Sequence, residues 1–138
     1  MQLTAPVLFR EALKAVEQLE ATQMEQIQRA GEILANAIRQ DGVIQVFGTG
    51  HSRAFAMEMA SRAGGLVPAN AIDAEVLFLR GVLPMSMHHT PDVERDPQTA
   101  HKILAQYNIH PADAFIVVSD VYPTVSTAAA DLILPTAR

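Results

Sequence analysis

Val43-Ile44-Gln45-Val46-Phe47-Gly48-Thr49-Gly50-His51-Ser52, running on into Arg53-Ala54-Phe55-Ala56-Met57-Glu58-Met59-Ala60-Ser61-Arg62-Ala63, decides the fold. The first five residues are a short apolar run of β type, and the residues from Arg53 onward favour a helix. A small Gly-bearing turn joins the two. A strand, a tight turn and a helix N-terminus bring free backbone N–H groups, a positive dipole end and hydroxyls into one cup, which is the physical description of an anion site. Gly48, Thr49, Gly50, His51 and Ser52 are therefore the candidate phosphate-binding residues. The turn is not a Walker loop, which needs Gly-x-x-x-x-Gly-Lys-Ser/Thr. It is not a dinucleotide fingerprint either, because Arg53 stands where the third glycine would be.

Working outward, Leu8, Ala12, Ala15, Val16 and Leu19 recur at helical spacing, and Met24, Ile27, Ala30, Ile33, Leu34, Ala37 and Ile38 continue the pattern. Thr22 with Glu25 three residues on is a capping-box candidate, so two leading helices are expected over residues 1–42, divided near Thr22. Gly31 costs about 1 kcal/mol against Ala in a helix interior and is expected where another helix packs close. Asp41-Gly42 ends the second helix. Beyond the central loop, Gly64-Gly65 makes a turn, and Leu66-Val67 opens a second strand that Pro68 pushes towards an edge. Residues 92 to 107 read as mostly helical, with Ala100, Ile103, Leu104 and Tyr107 on one face. Ala114-Phe115-Ile116-Val117-Val118-Ser119 is apolar without alternation, as a parallel strand covered on both faces should be. A short helix over 121–130 and a last strand, Asp131-Leu132-Ile133-Leu134, complete the pattern.

Alternating strands and helices imply an α/β fold with a small parallel sheet of about four strands, in the order 2-1-3-4. Ligands of such sheets sit beyond the carboxyl ends of the strands, so residues 48–52, the 68–72 turn and residues 119–124 are expected on one rim.

Composition narrows the partners. The 138 residues, 49% of them hydrophobic, suffice for one domain with a core. A net charge of −5 and a pI near 5.4 argue against nucleic acid or an anionic membrane. With no cysteine there is no disulfide, thiol nucleophile or thiolate metal site. The start of the chain lacks a basic-then-apolar signal pattern and no apolar run reaches 18 residues, so a cytoplasmic protein is expected. His88-His89, with Asp92 and Glu94 nearby, invites a metal reading. Adjacent histidines on an extended segment point to opposite sides, so a solvated loop is expected and no metal site is assigned. No cofactor is expected. Glu58 is the carboxylate on the helix after the loop and the candidate catalytic base, against a solvated helix face or a salt bridge. Arg53 is expected to lean on the first helical turn or to meet a carboxylate, and Glu75 to be an exposed loop carboxylate.

Val46-Phe47-Gly48-Thr49-Gly50-His51-Ser52, then Arg62-Ala63-Gly64-Gly65-Leu66-Val67-Pro68, and Tyr107-Asn108-Ile109-His110-Pro111-Ala112-Asp113 entering a strand, resemble the SIS family of sugar isomerase domains over residues 1–113. The resemblance implies a flavodoxin-like three-layer sandwich, here truncated to about four strands. It also implies a phosphate site built partly by the first loop, and pairing into a homodimer through the leading helices. It implies as ligand a small phosphorylated sugar or another anion. SIS isomerases use a glutamate base, and aligning the loop brings Ser61 rather than Glu58 near that position. A Ser-x-Ser-Gly loop would follow the third strand in the family, whereas Ser119-Asp120-Val121-Tyr122-Pro123-Thr124 stands here and matches it at Ser119 alone, so the resemblance implies Ser119 as a further ligand-binding residue.

Residues 114–138, with Ala130-Asp131-Leu132-Ile133-Leu134-Pro135-Thr136-Ala137, resemble a strand-helix-strand piece of molybdopterin-dependent oxidoreductases of the periplasmic nitrate reductase type. That likeness predicts a chimera joined at 113/114 within one domain of 1–138, a natural truncated paralogue being the alternative. A phosphosugar-binding domain without catalysis is the favoured expectation, against an aldose–ketose sugar phosphate isomerase and a recombined scaffold with no ligand.

Overall fold

The computed structural model describes residues 4–88, 90–119 and 125–133. The chain divides into two compact units, Met1–Asn36 and Ala37–Arg138, each described by itself. The first is the body of a single helix, α1 (Ala5–Arg39). The break expected near Thr22 is not there. The Thr22 hydroxyl donates to the Gln18 carbonyl four residues back at 2.7 Å, so it is spent inside the helix rather than on a cap. Among the described residues a Cβ on Gly31 would meet nothing within 4 Å. Leu8, Phe9, Leu13, Val16, Leu19, Met24, Ile27 and Ile33 are exposed along this helix.

The second unit begins with the last turn of α1, which Asp41 ends by taking a left-handed φ of 59° while the Gly42 N–H donates to the Ala37 carbonyl at 2.9 Å. Then follow β1 (Ile44–Gly48), a 3₁₀ turn (Gly50–Ser52), α2 (Arg53–Ser61) and β2 (Ala69–Ile72). The chain continues through α3 (Val76–Leu79), a second 3₁₀ turn (Met85–Met87), α4 (Pro91–Arg95) and α5 (Gln98–Leu104). It closes with β3 (Ala114–Val118) and α6 (Val125–Ile133).

Among the described residues the sheet has three parallel strands in the order β2-β1-β3. Every residue of β1 is buried, which is why its sequence is apolar on both faces around one polar exception. That exception, Gln45, is only 3% exposed, yet its amide is satisfied on both sides. Its Nε2 donates to Asp113 Oδ2 at 2.9 Å, and its Oε1 accepts from Asn70 Nδ2 at 2.8 Å. Asp113 Oδ1 also accepts from the Val43 N–H at 2.9 Å.

Phe47, Ile72, Leu77, Ala100, Ile103, Val125 and Ala129 form the core, drawn from β1, β2, α3, α5 and α6. Each of the larger side chains contributes about 1.5–3 kcal/mol by leaving water.

One expected strand is shifted and another is helix, so the described sheet has three strands rather than the four expected. Leu66 and Val67 are exposed, Val67 at 95%, and β2 starts after Pro68, whose carbonyl accepts from the Ile44 N–H at 2.8 Å. The strand expected at 131–134 is helix over Asp131–Ile133, Leu134 lying outside the described residues. The Ala128-Ala129-Ala130 run favours helix, and Val125 and Ala129, four residues apart, are both buried in the core. The helical reading of 92–107 becomes α4 and α5, separated at Asp96-Pro97, because proline cannot continue the first helix and starts the second instead.

Candidate functional site

The register sets the rim. Phe47 pairs with Ile72 and Gly48 with Val118, so Thr49, Asp73 and Ser119 leave the sheet at the same edge, the carboxyl ends of the strands. The 68–72 segment expected on that rim is mostly β2 itself, and Asp73-Ala74-Glu75 is the turn that lies there. Of the 119–124 segment, only Ser119 falls within the described residues.

Two glycines shape the first loop. A Cβ on Gly48 would stand 2.6 Å from the Ser52 carbonyl oxygen, so strand end and helix start can approach this closely only with glycine. Gly50 takes a φ of +55°, the left-handed conformation that turns the chain into the 3₁₀ turn. Neither Thr49 nor Ser52 caps a first-turn N–H with its hydroxyl.

Beside this loop lies a cleft of about 350 Å³. Gly48, Thr49, Gly50, Arg53, Asp73, Glu75, Phe78, His88, Thr90 and Glu94 are among the residues that line it. Of the residues expected from sequence, Gly48, Thr49 and Gly50 line it. Ser52 is buried behind the loop, and neither His51 nor Ser119, both exposed, is among its lining residues. Glu58 is also outside it: its side chain is 66% exposed and pairs with Arg62 at 3.5 Å.

Arg53 meets carboxylates, one of the two outcomes expected for it, and Glu75 is half-buried at the rim rather than an exposed loop carboxylate. Arg53 Nε donates to Asp73 Oδ2 at 2.6 Å and its Nη2 meets Glu75 Oε2 at 2.9 Å. Burial acts to lower the guanidinium's proton affinity, but Asp73 and Glu75 together outweigh it and raise the pKa above the ordinary arginine value. Glu75 Oε1 lies 3.6 Å from His88 Nε2, and the His88 ring stands edge-on to Phe78 at 4.8 Å.

Tyr107 latches the carboxylate turn in place. Its hydroxyl accepts from the Asp73 N–H at 2.8 Å and donates to the Asp73 carbonyl at 3.2 Å. Burial first, and the charge of Asp73 after it, push the Tyr107 hydroxyl pKa up despite the hydrogen bond. The only sequence signal for this network was the Asp73-Ala74-Glu75 spacing, two carboxylates just past a strand end. Among the described residues no group of His, Asp or Glu is arranged to hold a metal ion, and no helix is long and apolar enough to cross a membrane.

A family model described as the SIS domain matches residues 8–122. A UPF0309 protein of Listeria monocytogenes is 48% identical over 64 residues, 46% of this chain and 27% of that protein. Others match more of the chain: one from Thermoanaerobacter pseudethanolicus is 36% identical over 112 residues, and one from a Geobacillus strain is 35% identical over 112. These cover 79% and 80% of this chain and 43% of each relative, so the chain spans less than half the length of the curated relatives it matches. The SIS match runs through β3 and on to residue 122, past the proposed join at 113/114. The chimera expected from a join at 113/114 is not supported: β3 belongs to the same family match as β1 and β2. An apolar parallel strand is common to many α/β sheets, which is why residues 114–119 resembled an unrelated family.

Proposed function

This chain belongs to the SIS-domain family, and from that premise we propose that it binds a small phosphorylated sugar in the cleft between Gly48 and Glu94. The phosphate end sits over Gly48, Thr49 and Gly50, at the N-terminal side of α2, where the helix dipole and loop amides favour negative charge. Arg53, the first residue of α2, adds a fixed guanidinium at the same place. Asp73 and Glu75 hold its fork from one side, so its position is set before a ligand arrives and less entropy is lost on binding. Carboxylates elsewhere on the walls accept hydrogen bonds from sugar hydroxyls.

The observation that carries this reading is the coincidence of three features at one strand end: an open cleft, a glycine-shaped loop and a pre-set arginine. Titrating ¹⁵N-labelled protein with glucose 6-phosphate tests it. Amide shifts concentrated at Gly48 to Arg53, with affinity reduced about tenfold or more by Arg53→Met, are expected from losing a charge-assisted contact. A spectrum that does not move in that loop at millimolar ligand overturns the proposal.

A further inference from the structure

Tyr107 stands outside the cleft, yet its position is carried to the Arg53 guanidinium through Asp73. It lies in the turn after α5, its N–H donating to the Leu104 carbonyl at 3.1 Å, and its ring packs against the core. Its hydroxyl closes on both backbone groups of Asp73, the residue that follows Ile72 at the end of β2. Burial and the charge of Asp73 keep the phenol proton in place at neutral pH, so one oxygen both donates to the carbonyl and accepts from the N–H. The Asp73 side chain is fixed in turn: Oδ1 accepts from the Glu75 N–H at 3.0 Å, and Oδ2 from Arg53 Nε at 2.6 Å. Arg80, just past α3, ties the same two turns together by donating from Nη1 to the Gln106 carbonyl at 2.7 Å.

We propose that Tyr107 is a positioning residue for ligand binding, which sets, through the Asp73 backbone, the carboxylate that aims Arg53 at the phosphate end of a phosphosugar. This rests on the phosphosugar reading above and deepens it. Arginine has many rotamers to lose, and a carboxylate restrains it only as firmly as that carboxylate is itself held. Both carboxylates that grip Arg53 depend on the Asp73 turn, because the Glu75 N–H is bonded to Asp73 Oδ1. The Asp73 carbonyl has a second donor in the Val76 N–H at 3.3 Å, whereas the Asp73 N–H relies on the phenol oxygen. Removing that oxygen leaves every group that touches the ligand in place and loosens only the pre-ordering of Arg53, so the cost appears as the ordering a ligand must then impose.

The test titrates glucose 6-phosphate into the whole chain, its Tyr107→Phe and Arg53→Met variants and the double variant, followed by NMR. Tyr107→Phe is expected to weaken binding about fivefold in the parent and by less than about twofold once Arg53 is replaced, because its effect passes through the guanidinium. Without ligand, the Arg53 Nε–H should exchange with water about fivefold faster in Tyr107→Phe, which reports local opening of the Asp73 contact rather than a change in global stability. Equal weakening in both backgrounds overturns the proposal, since Tyr107 then acts through the fold at large. Unaltered affinity in Tyr107→Phe overturns it too, and in either case the phosphosugar reading stands. A parent that does not bind glucose 6-phosphate fails that reading and takes this one with it. If Tyr107→Phe is only partly folded, all the titrations are run in trimethylamine N-oxide, which favours the compact state of each protein alike.

Discussion

Replacing Gly48 by alanine tests how the loop is built. The added Cβ would lie 2.6 Å from the Ser52 carbonyl oxygen, 2.8 Å from the Ser52 carbonyl carbon and 3.0 Å from the Ser52 Cβ. None of these atoms can rotate aside, because all belong to the backbone or its first carbon. Relief requires the first turn of α2 to move off the end of β1. Overpacking of this kind costs about 1–3 kcal/mol, and alanine returns about 0.4–1 kcal/mol by restricting the unfolded chain. A net loss of roughly 1–2 kcal/mol follows, and with a urea m-value of about 1.5 kcal/mol/M the midpoint falls by about 1 M.

Gly31→Ala is the matched control. A Cβ at Gly31 meets nothing within 4 Å, so the same substitution there should gain about 1 kcal/mol of helix stability. Far-UV circular dichroism in urea reads both variants. Anion binding should fall in Gly48→Ala beyond what stability explains, because Arg53 moves with the helix start. A Gly48→Ala protein as stable as the parent, with binding intact, would refute the close approach.

Two further outcomes concern the groups that hold the sheet and the rim. Burial pushes the Asp113 carboxyl up, but hydrogen bonds from the Val43 N–H, the Gln45 amide and the His110 N–H, with the charge of His110, outweigh it and hold the pKa below the ordinary value. The unfolded chain therefore binds this proton more readily. The stabilisation is complete above the ordinary carboxylate range near about 4 and is lost as pH falls through the lowered native value. Asp113→Asn should cost about 1–3 kcal/mol at neutral pH and flatten the acid limb of the stability curve; an unchanged limb in acid titration would contradict this. Tyr107→Phe strips the Asp73 N–H and carbonyl of their shared partner, so a loss of about 1–2 kcal/mol is expected. Faster amide exchange at Asp73 and Glu75 should accompany it, and unchanged exchange there would show that the latch is idle.

What could be read from the sequence was local and repeated. β1, its loop and α2 stood out because strand, glycines and helix follow one another without a gap, and β3 because it is an unbroken run of apolar, mostly β-branched or aromatic residues, although only Ala114 of it is buried and the rest is half-buried rather than covered on both faces. The pieces that misled were short or ambiguous. Asp131-Leu132-Ile133-Leu134 is four residues long, too short for periodicity to separate strand from helix, and the alanines before it carried the helix through. Thr22 had the spacing of a cap but bonds backward to Gln18. The site divided the same way: glycines announce themselves, whereas Arg53 meeting Asp73 depends on contact across 20 residues of chain. Glu94, on α4, comes beside that loop only through the way the chain folds.

The amide of Gln45 joins Asn70 on one side to Asp113 on the other, the second bond linking residues 68 positions apart. Made first, the middle strand is completed last. At synthesis rates of about 5–20 residues per second, β1 has its right-hand neighbour only several seconds after it leaves the ribosome. Until then one flank of a ribbon apolar but for Gln45 lies open to any other strand nearby. Once Asp113 arrives, three strands with little else to distinguish one alignment from another are keyed to a single offset, since a slip of one position would leave a buried amide facing hydrocarbon.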